Sequence, residues 1–243
     1  MHYSLMTELI AEFIGTALLM VFGNGAVANV ELKGTKGFKS GWITIAMGYG
    51  FGVMFPVLMF GSVSGAHINP AMTIAQVVVG MFPVSDMLPY IIAQLFGALA
   101  GQLIVVATYY PYYKATESAD SIFATFSTTD AAQSRTNYFL NEFFGTLILV
   151  VGALSCLILP WGAKDPAAAS IVVGFIVWGL VTSMGGPTGP GLNPARDLMP
   201  RLLHQILPFP NKGSSRWKEA WIPVVAPIAG AIVGAEIFHY FIV

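Results

Sequence analysis

Two copies of one triplet carry the strongest chemical signal in the sequence, Asn69-Pro70-Ala71 and Asn193-Pro194-Ala195. Asparagine is a preferred N-cap, because its side-chain oxygen accepts a free N–H of the first helical turn. Proline suits the first helical position, where its missing N–H removes nothing. Each triplet therefore starts a helix whose end carries unpaired N–H groups and about half a positive charge. One copy is an ordinary capped turn. Two copies, each opening an apolar stretch too short to cross a bilayer, point to two helix tips meeting at membrane depth. There the Asn69 and Asn193 amides would present donors to a passing water or hydroxyl and turn its oxygen toward both. That orientation interrupts a proton-conducting chain of hydrogen bonds, and the paired positive ends repel cations. Carbonyls of the loops ahead of the tips would serve a neutral polyol as acceptors.

Three further ionisable residues sit where lipid makes charge expensive. Arg196 follows the second triplet directly, and its cost in a membrane calls for either a solute contact or a structural ion pair. Glu12 and Glu142 lie inside apolar runs. Each is either a titrating group of a proton-coupled transporter or an acceptor for unwound backbone. His2, His67, His204 and His239 are scattered, with no metal-ligand cluster and no nucleophile–base pair. No catalytic residue, metal or cofactor is expected. The single cysteine, Cys156, excludes an intramolecular disulfide and reads as packing.

The elements that must hold these residues are membrane spans. Of 243 residues, 56% are hydrophobic and 9% charged, too few charges to keep a soluble surface wet. Apolar segments over 5–29, 41–62, 85–110, 137–160, 167–186 and 218–242 each have helix length. Glycines within them (Gly48, Gly50 and Gly52; Gly97 and Gly101; Gly230 and Gly234) provide flat faces for close backbone approach. Met1-His2-Tyr3-Ser4 has no basic region before the first run, which favours a first spanning helix over a cleaved signal peptide. Residues 63–80 and 185–207 each read as a glycine-rich loop followed by a half-helix at Asn-Pro, permitted in a membrane only against protein or a wet cavity. A formal net charge of −1 excludes a nucleic-acid partner.

The chain repeats itself. Ala11-Glu12-Phe13-Ile14-Gly15-Thr16 recurs as Asn141-Glu142-Phe143-Phe144-Gly145-Thr146. Three spans per half place the halves in opposite orientations, an inverted repeat with a path at the midplane. One membrane channel domain over 1–243 is expected: a first repeat over about 1–112, a loop over about 113–136 and a second repeat over about 137–243.

Ser64-Gly65-Ala66-His67-Ile68-Asn69-Pro70-Ala71 and Asn193-Pro194-Ala195-Arg196-Asp197 resemble the signature of the aquaporin and glycerol-facilitator superfamily, over essentially the whole chain. The resemblance implies an all-α membrane protein, six transmembrane helices plus two re-entrant half-helices in an aquaporin-like right-handed bundle. It further implies a homotetramer in the plasma membrane, each subunit with its own pore and cytoplasmic termini. Glu12 and Glu142 then brace the re-entrant loops, His67 likewise, and Arg196 donates to solute at an outer constriction. The family's other constriction positions fall on Tyr49, Val181 and Pro190. Water-selective members narrow this ring with histidine and a bulky aromatic, and the histidine is not present. Glycerol facilitators usually carry aromatics at the positions of both Tyr49 and Pro190; here proline replaces the second, which predicts a wider, less selective filter. Asp197, Arg201 and the Pro223-Val224 pair also resemble the glycerol branch. Tyr109-Tyr110-Pro111-Tyr112-Tyr113 suits an interfacial belt ending the third helix. Glu236 and His239 are expected at the interface end of the last.

The expected function is passive diffusion of glycerol and other small uncharged solutes, with water, excluding protons and ions, across a lipid bilayer. Within the channel class the alternatives are a widened filter for protonated small organic acids such as lactic acid, and a water channel. In another class stands a proton-coupled secondary transporter using Glu12 or Glu142, separable by uphill accumulation that an uncoupler abolishes. One conflict accompanies the implied topology. With cytoplasmic termini, Lys33, Lys36, Lys39, Lys114, Arg135, Lys212, Arg216 and Lys218 face outward and Lys164 alone faces inward, against the positive-inside rule.

Overall fold

The computed structural model describes residues 3–189 and 191–242. Its long helices are α1 (Leu5–Glu31), α2 (Trp42–Ser64), α4 (Val84–Ala115), α6 (Arg135–Ile158), α8 (Pro166–Thr188) and α10 (Ile222–Phe241). All six are long and apolar enough to cross a membrane, the last counted from the short 3-10 turn at Trp217–Glu219. Between them lie the half-helices α3 (Pro70–Val78) and α9 (Pro194–Ile206) and the short α5 (Ala119–Ala124) and α7 (Pro160–Lys164). No strand occurs among the described residues. Large apolar side chains such as Met59, Phe96, Phe175 and Val225 face outward, as lipid in place of water requires.

Helix starts follow local chemistry. Ser4, Ser134 and Asp165 cap α1, α6 and α8 through their side chains, and Pro166 occupies the first turn of α8. Glycines set the packing. A Cβ on Gly97 or Gly101 would lie 2.3 Å from the Phe13 or Ala17 carbonyl oxygen, locking α4 onto α1. In the second half, a Cβ on Gly230 or Gly234 would lie 2.1 or 2.7 Å from the Phe143 or Leu147 carbonyl oxygen, locking α10 onto α6. The halves meet where α2 packs on α8, and a Cβ on Gly50 or Gly174 would lie 3.0 Å from the other's carbonyl oxygen. The first and third spans of each half pair in the same way, so the repeat is visible in the packing.

Two boundaries and one side chain depart from the sequence reading. Gly185, Gly186 and Pro187 do not begin the loop; α8 continues through them to Thr188. The connecting segment makes this possible, because Thr129 N and Ala131 N donate to the carbonyls of Thr188 and Pro187 at 3.0 and 2.8 Å. Helix α4 runs on through the tyrosine run to Ala115, with Pro111 inside it. Tyr113 is accordingly no belt residue: it is fully buried, shares a hydrogen bond with Thr125 Oγ1 at 2.8 Å and stacks on Phe209. Tyr110 on the same run is exposed.

Candidate functional site: a corridor between two helix tips

The two half-helices meet tip to tip. Asn69 Oδ1 accepts Ala71 N at 2.9 Å, and Asn193 Oδ1 accepts Ala195 N at 2.9 Å and Arg196 N at 3.2 Å. With both oxygens spent on caps, the amide nitrogens reach across. Asn69 Nδ2 donates to the Leu192 carbonyl and Asn193 Nδ2 to the Ile68 carbonyl, both at 2.8 Å. An amide nitrogen carries two hydrogens, so each asparagine keeps one beyond the cross-tie. The carbonyls are aimed by left-handed backbone at Ile68 (φ 43°) and Leu192 (φ 57°), an uncommon conformation for such side chains. Pro70, Ala71, Pro194 and Ala195 are buried behind the tips.

Each loop hangs from a glutamate. Glu12 accepts from Ser64 Oγ (2.7 Å), His67 N (2.9 Å), Ile68 N (2.7 Å) and Gln94 Nε2 (2.8 Å). Glu142 accepts from Leu192 N (2.7 Å) and Thr188 Oγ1 (3.0 Å). Both carboxylates are fully buried. Hydrogen bonds to a charged acceptor are each worth about 1.5–3 kcal/mol, enough to hold unwound backbone where no water can. His67 combines two roles. Its Nδ1 pairs with Thr73 Oγ1 at 3.1 Å, and its ring also lines the corridor.

At the other end, Arg196 is buried beside Tyr49. Arg196 Nη2 donates to the Tyr49 hydroxyl and Nη1 to the Phe126 carbonyl at 2.9 Å. The Tyr49 hydroxyl in turn donates to Asn24 Oδ1. Among the described residues Arg196 has no carboxylate partner, and its Nε has no hydrogen-bond partner. The neighbouring acid is otherwise engaged. Asp197 Oδ1 takes Arg201 at 2.7 Å, its Oδ2 takes Thr128 N and Oγ1 at 2.7 Å each, and Arg201 reaches on to the Ser215 carbonyl at 2.9 Å. That buried pair fastens α9 to the connecting segment. Val181 lines the corridor with its side chain, while its carbonyl accepts Trp42 Nε1 at 2.7 Å. Pro190 lies outside the described residues. Pro223 and Val224 stand in the first turn of α10, away from the cavity walls.

Three cavities adjoin one another through shared lining residues. A central one of ≈ 80 Å³ is lined by Tyr49, His67, Asn69, Val181, Asn193 and Arg196, with apolar walls from α2, α6 and α8. On the Arg196 side it meets a vestibule of ≈ 390 Å³, and Arg196 lines both. On the His67 side it meets a vestibule of ≈ 480 Å³ that shares Gly65, His67 and Gln76. Neither Glu12 nor Glu142 lines any of the three.

A model of the major intrinsic protein family matches residues 1–238. The chain belongs to the major intrinsic protein family. Among members of this family, it is 48% identical to the glycerol uptake facilitator protein-like 5 of Lactiplantibacillus plantarum over 237 residues, 95% of each chain. It is 45% identical to the glycerol uptake facilitator protein of Streptococcus pneumoniae strain R6 over 239 residues, 98% of this chain and all of that one. Its structure also resembles the X-ray structure of the aquaglyceroporin from Plasmodium falciparum, with a TM-score of 0.87 at 31% identity, covering 98% of this chain and 97% of that one. As a major intrinsic protein it is a multi-pass membrane protein built to enclose a pore.

Four polar residues of this site went unread in the sequence: Asn24, Gln94, Gln102 and Thr188. All are buried in spanning helices. A polar side chain inside an apolar run is itself the signal that singles out such positions.

Proposed function

We propose that the chain is a passive channel for glycerol and other small uncharged solutes, with water alongside them. The observation that carries this reading is a row of three cavities, neighbours sharing lining residues, past Arg196, the paired asparagine tips and His67. The relatives named as glycerol uptake facilitators support glycerol as a solute. The walls suit such a molecule. Apolar side chains of Val53, Leu149 and Val177 face its carbon edge, and Arg196, Asn69 and Asn193 hold the donors for its hydroxyls. Two converging half-helix N-termini and an arginine paired only with neutral oxygens make the centre positive, which disfavours protons and cations.

The filter comprises Tyr49, Val181, Pro190 and Arg196, with proline in place of a second aromatic ring making it permissive. The inverted repeats span about 1–112 and 137–243, and four chains assemble in the plasma membrane with cytoplasmic termini. Tag accessibility from outside tests that orientation. A stopped-flow panel on proteoliposomes, run with water, glycerol, urea, dihydroxyacetone, hydrogen peroxide and lactic acid, tests the solute class. Glycerol influx well above that of protein-free vesicles supports the reading. Influx of lactic acid alone moves the assignment to an organic-acid channel.

A further inference from the structure

The hydrogen bonds around Arg196 form a chain whose direction is forced. A guanidinium only donates, so the Tyr49 hydroxyl beside Nη2 must accept from it. Its single hydrogen must then go elsewhere, and it goes to Asn24 Oδ1. That fixes the rotation of the Asn24 amide, whose Nδ2 faces Gln102 Oε1 at 2.6 Å and the Phe126 carbonyl at 3.2 Å. Gln102 is fixed in the same sense, its Nε2 donating to the Thr125 carbonyl at 3.2 Å. The Phe126 carbonyl closes the loop by also accepting Arg196 Nη1 at 2.9 Å. Asn24 on α1 and Gln102 on α4 are both fully buried, and neither lines a cavity.

We propose that Asn24 and Gln102 are specificity-determining positioning residues of the filter. Acting through the Tyr49 hydroxyl, they hold the Arg196 guanidinium against the wall, with both Nη groups committed to protein acceptors. The inference rests on the channel reading above. With the circuit intact, both Nη groups have fixed protein acceptors and Tyr49 has no hydrogen to give, so a solute meets its ring rather than its hydroxyl. Removing the Tyr49 oxygen takes the acceptor from Nη2, while removing the Asn24 amide leaves the Tyr49 hydroxyl accepting but untethered, with its hydrogen free. Either change loosens the guanidinium, which turns toward oxygens in the corridor, and the passage becomes both narrower and more adhesive for a polyol than for water.

The test uses the full chain in proteoliposomes and reads glycerol and water permeability on the same preparations. Tyr49→Phe and Asn24→Val should each lower the glycerol-to-water ratio roughly two- to tenfold, the range that one hydrogen bond's net worth spans. Gln102→Met should move it in the same direction. The Tyr49→Phe/Asn24→Val double variant should fall no further than the more affected single, since both cut one circuit. Should Asn24→Val not yield monodisperse protein, Tyr49→Phe decides alone, because it removes one oxygen and keeps the ring. An unmoved ratio in Tyr49→Phe, or additive falls in the double, overturns the inference while a conducting wild type leaves the channel reading intact. A wild-type chain that admits glycerol no faster than protein-free vesicles overturns both.

Discussion

Asn69 and Asn193 are tied to each other through the carbonyl that precedes the partner, Asn69 to Leu192 and Asn193 to Ile68, both at 2.8 Å. Each asparagine thereby caps its own half-helix with its oxygen and braces the opposite loop with its nitrogen. The tips are held as one unit, and neither can withdraw without releasing the other. This link sets where the corridor runs, because the same two residues line it.

Replacing Asn69 by alanine removes the cap on α3 and one of the two cross-ties. A cap is worth about 1 kcal/mol and a net hydrogen bond about as much. Asn69→Ala should therefore lower stability by about 2 kcal/mol in reversible unfolding in detergent. Wild-type stability would mean that neither bond contributes.

Glu12→Leu strips the acceptor from two backbone N–H groups and two side-chain donors. Each unmet buried donor costs about 1–3 kcal/mol, so the loss should exceed about 3 kcal/mol and appear as a large fall in the yield of folded protein. Glu12→Gln keeps one oxygen and should be milder, with glycerol flux through the folded fraction insensitive to an uncoupler. Uphill glycerol accumulation in the wild type that vanishes in Glu12→Gln would instead make the carboxylate a transport group.

The Asp197–Arg201 pair is buried on both sides at 2.7 Å. Removing one partner strands the other, so Asp197→Asn should destabilise by about 3–5 kcal/mol. Replacing both by apolar residues of similar size, as in Asp197→Leu with Arg201→Met, should recover most of that loss. A double variant no better than the single would show that the bonds to Thr128 and Ser215, rather than the pair, fix α9.

Pro190→Phe tests the proposed filter by placing a second aromatic at position 190. It should slow bulkier solutes more than water in the stopped-flow panel. Equal slowing across all solutes would remove Pro190 from the filter.

What the sequence disclosed was chemistry that is local. Asn-Pro-Ala announces a helix start from three adjacent residues, and the recurrence of its glutamate-bearing partner segment announces the repeat. Gly97, Gly101, Gly230 and Gly234 were legible as packing faces because a spacing of four puts them on one side of a helix. Long-range partners were not legible. The extension of α8 through Gly185-Gly186-Pro187 depends on N–H donors from residues 129 and 131, more than fifty positions earlier. Tyr113 looked like the exposed Tyr110 of the same run, yet a hydroxyl at Thr125 and a ring at Phe209 draw it inward. Asn24 and Gln102 stand 78 positions apart, and only the packing of α4 on α1 brings their amides together.

This corridor should pass neutral solute and stop protons. The most direct test is proteoliposomes carrying a pH dye inside, followed by light scattering under a glycerol gradient and by fluorescence under a proton gradient with the potential clamped. Rapid glycerol entry with proton flux no greater than in protein-free vesicles is the predicted result. Glycerol entry no faster than in those vesicles, or entry matched by proton flux, would contradict it.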